Sequence, residues 1–364
     1  MLFTPLFCYR STLAGPVLSR YHYAHEPSRL VRYNTYNMFY FGTWRSSSLK
    51  IVVTGGAGFI GSHLCTRLLD EGHSVLCVDN LITGSERNIA PLRDHPHFTF
   101  LRHDVTLPFD LEAEAIFHLA SPASPVGYME HPIETILVNS QGTYQMLEQA
   151  KKQNAMFLVA STSEAYGDPL EHPQREEYWG NVNPVGPRAC YDESKRLGET
   201  LTMEYFRQYR VNARIVRIFN TYGPNSQIHD GRMIPNFITQ ALRNEPLTIY
   251  GDGSITRSIC YVSDLVDGLT RAMFRPQTAG EVFNLGNTEE HSVLEFAHTI
   301  IRLCEASSTI LYEPNRVDDP ERRRPDISKA QRVLDWTPKV SIESGLRHTI
   351  EWFSNTISQP STIL

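Results

Sequence analysis

The stretch TGGAGFIGSH (54–63) follows a short apolar run and opens a pattern typical of a helix. Its glycines, Gly55, Gly58 and Gly61, let backbone amides approach a pyrophosphate at the helix N-terminus, whose dipole favours an anion. Asp79 ends the next apolar run, 18 residues beyond Gly61, where a carboxylate accepts hydrogen bonds from both ribose hydroxyls of NAD and disfavours the extra phosphate of NADP. A tight turn without a ligand is the alternative. Because strand, turn, helix and acid agree, we predict an NAD-binding turn.

Apolar runs continue to alternate with helical patterns after this turn. The runs lie at 74–80, 98–104, 115–121, 157–163 and 213–220, and helices are expected over about 133–153 and 191–209. Near-continuous apolar strands alternating with amphipathic helices favour a parallel sheet covered on both faces. We therefore predict an α/β chain with a Rossmann-type doubly wound parallel sheet and a smaller C-terminal substrate-binding domain.

Three segments are expected along the chain. Residues 50–221 form the NAD-binding Rossmann domain, and 222–357 are mainly a substrate-binding domain, with a strand near 281–285 returning to the main sheet. Residues 1–49 contain five arginines and a single acid, a composition that suits a targeting peptide. Their apolar runs are short and their tyrosines numerous, so a disordered arm or a mis-assigned start is the alternative.

The composition limits the possible partners. The 364 residues carry a net charge of −6, without the basic excess that nucleic acid or an acidic membrane favours. No run approaches the roughly 18 to 20 apolar residues of a membrane span. The six cysteines lie far apart, with no CxxC pair and no metal-ligand spacing. We expect no metal site, and reduced thiols in a cytosol-like compartment.

Tyr191 and Lys195 lie four residues apart on an expected helix and therefore share a face. A nearby ammonium lowers the pKa of a tyrosine, which could then take a proton from a sugar hydroxyl while hydride leaves the same carbon. By itself the pair is more often a packed tyrosine beside a surface lysine. After a dinucleotide turn, it indicates a catalytic couple.

Residues 161–164 end an expected strand at the carboxyl edge, where open parallel sheets place their sites. Thr162 could share the substrate proton with Tyr191, and Glu164, if partly buried, could hold a proton near neutrality and act as acid or base. Ser163 is informative because an acid there would help a dehydratase but repel a substrate that carries a carboxylate. A hydrogen-bonded strand end without chemistry is the alternative.

The chain resembles the extended short-chain dehydrogenase/reductases and, within them, the UDP-glucuronate decarboxylases, also called UDP-xylose synthases. The resemblance covers roughly 50–352. The glycine turn and the tyrosine–lysine pair identify only the superfamily. The narrower resemblance depends on HLASPASP (118–125), STSEAYGDPLEHPQ (161–174), YWGNVNPVGPRACYDESKR (178–196), RIFNTYGP (217–224), DGRMIPNFI (230–238) and ERRRPDI (321–327).

The resemblance implies a redox cycle in which NAD is reduced and then restored. Tyr191 would deprotonate the C4 hydroxyl of glucuronate while hydride leaves C4, giving a 4-keto sugar that loses carbon dioxide as a β-keto acid. Protonation at C5 and hydride return would yield UDP-xylose. Lys195 would tune Tyr191 and hold the nicotinamide ribose, Thr162 would assist proton transfer, and Ser163 and Glu164 would position the sugar. The donor of the C5 proton stays open.

The resemblance and the chemistry of arginine also indicate the binding residues. A guanidinium suits a diphosphate or a carboxylate because it binds with two parallel hydrogen bonds. Arg324 is an alternative to Arg323 because the register of the arginine run is uncertain. We expect the substrate, UDP-glucuronate, to contact Arg188, Asn220, Arg232, Arg257 and Arg323. We expect NAD to contact Gly55, Gly58, Phe59, Ile60, Gly61, Asp79, Asn80, Asp104 and Lys195.

Alternative functions stay open. A UDP-sugar 4-epimerase or a 4,6-dehydratase would share the cofactor turn and the Tyr191 and Lys195 pair, and a non-catalytic NAD-binding module is a further alternative. Ala165, Ser194 and SICYV (258–262) depart from the pattern of the resembled family without removing a chemical group. A homodimer formed through the long helices is implied by the resemblance.

Overall fold

The main sheet of the protein has seven parallel strands. The computed structural model describes residues 48–314 and 322–358. Its strands are β1 (Lys50–Thr54), β2 (Ser74–Asp79), β3 (Phe98–Arg102), β4 (Ala115–His118), β5 (Met156–Thr162), β6 (Ala213–Ile218), β7 (Thr221–Tyr222), β8 (Leu247–Tyr250), β9 (Thr256–Ser258), β10 (Cys260–Tyr261), β11 (Val282–Leu285), β12 (Glu290–Ser292), β13 (Ile310–Glu313) and β14 (Arg322–Arg323). The sheet order is β3-β2-β1-β4-β5-β6-β11, with every neighbouring pair parallel. The order reverses between β1 and β4, which makes the ends of these strands the expected ligand site.

Helices cover both faces of this sheet. They are α1 (Phe59–Asp70), α2 (Glu86–Ile89), α3 (Pro125–Glu130), α4 (Pro132–Leu137), α5 (Thr143–Gln153), α6 (Ala189–Tyr209), α7 (Met233–Leu242), α8 (Val262–Phe274), α9 (Val293–Leu303) and α10 (Ile342–Ser358). Single turns of 3₁₀-helix lie at Ala90–Leu92 and Ser163–Tyr166, and π-helical turns at Val138–Gly142 and Ala330–Leu334.

The central strand β1 explains why both faces are covered. Ile51 and Val53 pack into one core with α1 and α8, whereas Val52, between them, packs into a second core with α5 and α6. Successive side chains of a strand point to opposite faces, so a strand that is apolar throughout needs cover on both. Each such side chain stabilises the fold by about 1.5–3 kcal/mol when fully buried. The predicted doubly wound parallel sheet is confirmed.

The helix expected over about 133–153 is interrupted. A π-helical turn, Val138–Gly142, separates α4 from α5, and within it Asn139 Nδ2 donates to Ser194 Oγ on α6 at 3.0 Å. Both side chains are buried. The wider turn lets Asn139 reach the neighbouring helix, and π-helical turns are frequent at functional sites.

A third hydrophobic core lies in the C-terminal part of the chain. It joins residues of α7, α9 and α10, among them Phe237, Phe296 and Phe353. The strand expected near 281–285 does return to the main sheet, because β11 pairs with β6. Contact clustering nevertheless places Ser46–Leu364 in one compact unit, and the boundary near residue 221 stays a prediction.

Two sequence-based expectations concern the N-terminus and membranes. Most of the 1–49 segment, residues 1–47, lies outside the described residues. Within the described part of the chain, no helix is long and apolar enough to cross a membrane.

Candidate active site

The glycine turn lies between β1 and α1, against the end of β4. Gly55 has φ +72°, and a Cβ there would lie 2.7 Å from the backbone nitrogen of Ala120. A Cβ at Gly61 would lie 2.1 Å from the carbonyl oxygen of Gly55, so the helix could not start so close to the turn. Gly58 caps α1, and a Cβ there would meet only Gly55 O, at 3.1 Å. Gly55 and Gly61 allow the close contacts of the turn. Gly58 leaves room above the helix N-terminus, which fits a dinucleotide pyrophosphate.

Two acids lie beside this turn. The Asp79 carboxylate accepts from the amides of Ala57, at 3.0 Å, and Leu81, at 2.8 Å, and burial raises its pKa despite these bonds. Asp104 accepts from Asn80 Nδ2 at 3.1 Å and from Thr106. Burial opposes the ionisation of Asp104, but these hydrogen bonds outweigh it and lower its pKa. The acids and Asn80 lie at the strand ends where the ribose and adenine of NAD were expected.

The predicted catalytic couple lies on the first two turns of α6, and both side chains are buried. Lys195 Nζ donates to the carbonyl of Ala160 at 2.9 Å and lies 5.8 Å from the centre of the Tyr191 ring. Thr162, at the end of β5, forms a side-chain hydrogen bond with Tyr191. The structure thus brings Thr162, Tyr191 and Lys195 together.

The pKa expected for Tyr191 needs correction. Burial raises the pKa of the phenol well above 10; the Thr162 hydrogen bond lowers it, and Glu164, Tyr128 and Asp192 raise it further. Burial also lowers the pKa of Lys195 to about 7. The sequence predicted that Lys195 would lower the pKa of Tyr191, but in the folded protein burial is the largest influence and raises it.

Glu164 is held by arginines from two distant parts of the chain. Arg188, preceding α6, donates to Glu164 Oε2, and Arg323 Nη2 donates to the same oxygen at 2.9 Å. Burial favours the neutral acid, but Arg323, Arg188 and Arg257 outweigh it and lower the pKa of Glu164. The expectation that Glu164 holds a proton near neutrality is therefore wrong, because its guanidinium partners keep it ionised.

The remaining polar candidates surround this ion-pair cluster. Arg257 Nη1 donates to the backbone oxygen of Thr256 at 2.9 Å, and Arg232 Nε donates to Asp230 at 2.7 Å. Arg323 lines the cavity, whereas Arg324 Nη1 lies 3.4 Å from Glu290. Of these two arginines, Arg323 is therefore the one that faces the cavity.

The predicted site residues share one cavity of about 450 Å³. It extends from the glycine turn, across the ends of β4 and β5, to α7 and β8. The sequence-predicted residues that line it are Gly55, Gly58, Phe59, Ile60, Gly61, Asp79, Asn80, Asp104, Thr162, Ser163, Glu164, Arg188, Tyr191, Lys195, Asn220, Arg232, Arg257 and Arg323. Residues up to 268 positions apart thus share one site.

Sequence reasoning missed two buried neighbours of Tyr191. The ring of Tyr128 stacks on the Tyr191 ring, with centroids 5.0 Å apart and planes at 12°. Asp192 is only 7% exposed, and burial, with the charge of Glu164, raises its pKa to about 7. Tyr128 lies in the continuation of the quoted HLASPASP motif, but no spacing in the sequence indicates that its ring meets the ring of Tyr191.

A doubly wound parallel sheet with a glycine turn at its switch point and a buried tyrosine–lysine couple defines an NAD-binding enzyme of the Rossmann type. The model of the NAD dependent epimerase/dehydratase family matches residues 51–286, and the chain belongs to this family.

The similar proteins include enzymes whose names specify UDP-glucuronic acid. The chain is 52% identical to UDP-glucuronic acid decarboxylase 1 of Arabidopsis thaliana over 309 residues, 85% of this chain and 71% of that protein. It is 51% identical to UDP-glucuronic acid decarboxylase 1 of Danio rerio over 308 residues, 85% of this chain and 73% of that protein. A solved structure of UDP-glucuronic acid 4-epimerase from Bacillus cereus, with UDP-glucuronic acid and NAD, matches with a TM-score of 0.77 and 30% identity, covering 84% of this chain and 99% of that one.

Proposed function

We propose that the protein decarboxylates UDP-glucuronate to UDP-xylose, using NAD that is regenerated within each turnover. The names of its decarboxylase relatives support this substrate and reaction. The observation that carries the proposal is the cationic cluster beside Tyr191: Glu164 lies ionised among Arg188, Arg257 and Arg323.

The residues of this cluster suit an anionic sugar nucleotide. Three guanidinium groups lie around the Glu164 carboxylate, and the side chains of Arg323 and Glu164 are 9% and 14% exposed. A guanidinium binds a carboxylate or a diphosphate with two parallel hydrogen bonds. We expect the carboxylate and diphosphate of UDP-glucuronate to contact these arginines, and the small neutral side chain of Ser163 would leave room for the carboxylate.

NAD would be held by the glycine turn, Asp79 and Lys195. When bound, it would supply an acceptor for a hydride of the sugar and could return that hydride. Tyr191 removes the proton from the C4 hydroxyl, with Thr162 within hydrogen-bonding reach to share it. Oxidation at C4 makes the sugar a β-keto acid, whose carbon dioxide leaves because the electrons are delocalised onto the ketone as an enolate. Protonation of this enolate at C5 and return of the hydride to C4 would then give UDP-xylose. Burial of Tyr191, at 5% exposure, and of Lys195, at 6%, excludes water from these steps.

Mass spectrometry of the product tests the reaction. Purified protein mixed with UDP-glucuronate and NAD is expected to form a UDP-pentose that has lost the mass of carbon dioxide. Tyr191→Phe should reduce the rate by about 10²–10⁴-fold, because the proton acceptor is removed. Tyr209→Phe, on the same helix with the tyrosine 55% exposed, is the matched control and should keep wild-type turnover. A product that retains the carboxylate would contradict the proposal.

Epimerisation at C4 of the same substrate is the second candidate. The solved epimerase shares the fold over 84% of this chain and holds UDP-glucuronic acid, the substrate proposed here, which is the reason to test epimerisation of this substrate. An epimer has the same mass as UDP-glucuronate, so the experiment above separates the two reactions.

The proposal extends to assembly and location. A homodimer formed through neighbouring helices is supported by exposed apolar side chains on them: Ile133 and Ile136 of α4, Tyr144 of α5 and Leu197 of α6.

The free thiols of Cys65, Cys77 and Cys260 support a reducing, cytosol-like compartment.

A further inference from the structure

Glu199 is a buried acid of α6, one helical turn beyond Lys195. Its side chain is 12% exposed and joins three elements of the fold. Ser161 Oγ, on β5, donates to Glu199 Oε1 at 2.5 Å. Arg217, on β6, donates to Oε1 through Nε at 2.9 Å and to Oε2 through Nη2 at 2.7 Å. The proposed proton transfer makes no use of this carboxylate.

The contacts of Glu199 lie directly behind the catalytic couple. Ser161 follows Ala160, whose carbonyl accepts from Lys195 Nζ, and precedes Thr162, which bonds to Tyr191. A hydrogen bond between Glu199 and Ser161 therefore ties α6 to the two positions of β5 that contact Lys195 and Tyr191. The fork of Arg217, stacked 4.7 Å over the ring of Tyr166, fixes the carboxylate in turn.

We propose that Glu199 is a positioning residue for the reaction, which places a negative charge one helical turn from Lys195 and holds the end of β5 against the catalytic face of α6. The role in turnover rests on the proposed function, but the effect on Lys195 can be measured without it.

The charges around Lys195 support an electrostatic role. The groups that face its ammonium are Tyr191 and Glu199 from its own helix and His118 from β4. Burial lowers the pKa of Lys195, and Glu199 raises it. His118 lies between Thr54 Oγ1, at 2.7 Å, and Thr143 Oγ1, at 3.1 Å, and burial lowers its pKa to about 3, so it is neutral. Among these titratable neighbours in the described part of the chain, Glu199 is the one that favours the charged form of Lys195.

The first experiment follows the titration of Lys195 by NMR, in protein labelled at the lysine ε-carbon and assigned with Lys195→Arg. In Glu199→Gln, which keeps the shape but not the charge, the pKa of Lys195 should fall by about one unit. Glu204→Gln is the matched control, because Glu204 lies on the same helix with its side chain 48% exposed. An unchanged titration of Lys195 in Glu199→Gln would overturn the proposal, whatever reaction the wild type catalyses.

The second experiment measures turnover of UDP-glucuronate against pH. The alkaline limb of the kcat/KM profile should move to lower pH in Glu199→Gln by about the same one unit, with KM at low pH within about twofold of the wild type. Glu199→Asp, which keeps the charge, should restore part of the shift. Equal losses at every pH in both variants would indicate a merely structural residue and overturn the proposal. An inactive wild type would instead count against the proposed function alone.

A third variant keeps the proposal testable if Glu199→Gln does not fold. Ser161→Ala removes one hydrogen bond to Glu199 and no charge. We expect kcat to fall about fivefold, the effect of one hydrogen bond, with the alkaline limb not displaced to lower pH. Wild-type kcat in Ser161→Ala would overturn the proposed link between Glu199 and β5.

Discussion

At the scale of single residues, Asp192 gives the chain an acid whose burial favours its neutral form. It lies on the first turn of α6, and its buried Oδ1 has no hydrogen-bond partner among the described residues. Burial raises its pKa from the ordinary 3.8 to about 7. The folded protein therefore binds this proton more tightly than the unfolded chain does, so the stabilisation is present below pH 4 and is lost as the pH rises through about 7.

We predict that Asp192→Asn increases the free energy of unfolding at pH 8 by about 1–3 kcal/mol, because the amide carries no charge to desolvate. Below about pH 4 the variant should differ little from the wild type, since the folded protein then holds the neutral acid. Denaturant unfolding at both pH values measures the difference. Glu193→Gln, at a neighbouring side chain that is 40% exposed, is the control and should not change the pH dependence. A destabilised Asp192→Asn at pH 8 would contradict the prediction.

Glu164 shows why ionisation was the hardest property to predict from the sequence. Its position at the end of an apolar run was readable, and the structure places it in the cavity. Its charge state depends on Arg323, 159 residues away, whose guanidinium outweighs the burial penalty. The prediction for the pKa of Tyr191 was wrong in the opposite direction: it was expected to be lowered and is raised. No pattern in the sequence reveals how completely its hydroxyl is desolvated.

At the scale of elements, the close packing of the glycine turn predicts how a substitution in it would affect NAD binding. In Gly61→Ala the new Cβ would lie 2.1 Å from Gly55 O, so α1 must move away from the turn. We expect a loss of about 1–3 kcal/mol in stability from this overpacking. The amides at the helix start would shift with α1, and NAD affinity should fall about tenfold or more, or roughly 1.4 kcal/mol of binding free energy. Calorimetric titration with NAD measures this loss.

Gly72, just beyond the other end of α1, is the matched control. A Cβ there meets nothing within 4 Å, but its φ of +85° strains any L side chain. Gly72→Ala should therefore cost about 1–2 kcal/mol in stability and leave NAD affinity unchanged. Equal losses of affinity in both variants would show that the effect of Gly61→Ala is only destabilisation.

Secondary-structure elements were predictable where the sequence follows a single hydrophobic period. The seven strands of the main sheet were all expected within a few residues of their positions, because apolar runs bounded by turn residues have few other solutions. The π-helical turn at Val138–Gly142 was missed, since its residues fit an ordinary helical period. Its reason is tertiary: Asn139 reaches Ser194 on another helix.

At the scale of the whole molecule, the proposed homodimer can be tested by substituting exposed apolar side chains of α4 and α6. Ile133 is 62% exposed and Leu197 44%, on helices that pack beside each other. In a two-fold interface each substitution is present twice, so added carboxylates repel across the axis. We expect the double variant Ile133→Glu, Leu197→Glu to be monomeric by size-exclusion chromatography with light scattering, and the wild type to be dimeric.

The control for this prediction is Leu311→Glu on β13, where the side chain is 47% exposed and distant in sequence from α4 and α6. It should leave the dimer intact. A wild type that is monomeric over a range of concentrations would contradict the proposed assembly, and a double variant that remains dimeric would place the interface elsewhere.

The α/β class, the succession of strands and helices along the chain, the NAD turn and the residue types of the site could all be predicted from the sequence. These follow from local periodicity and from spacings of a few residues, which the backbone geometry of a helix or strand converts directly into shared faces. Three features became clear only from the folded chain: Arg323 rather than Arg324 faces Glu164, Glu164 is ionised, and Glu199 joins α6 to β5 and β6. Charge states and such long-range pairs depend on burial and on partners brought together by the folded sheet, and neither is encoded in any local spacing.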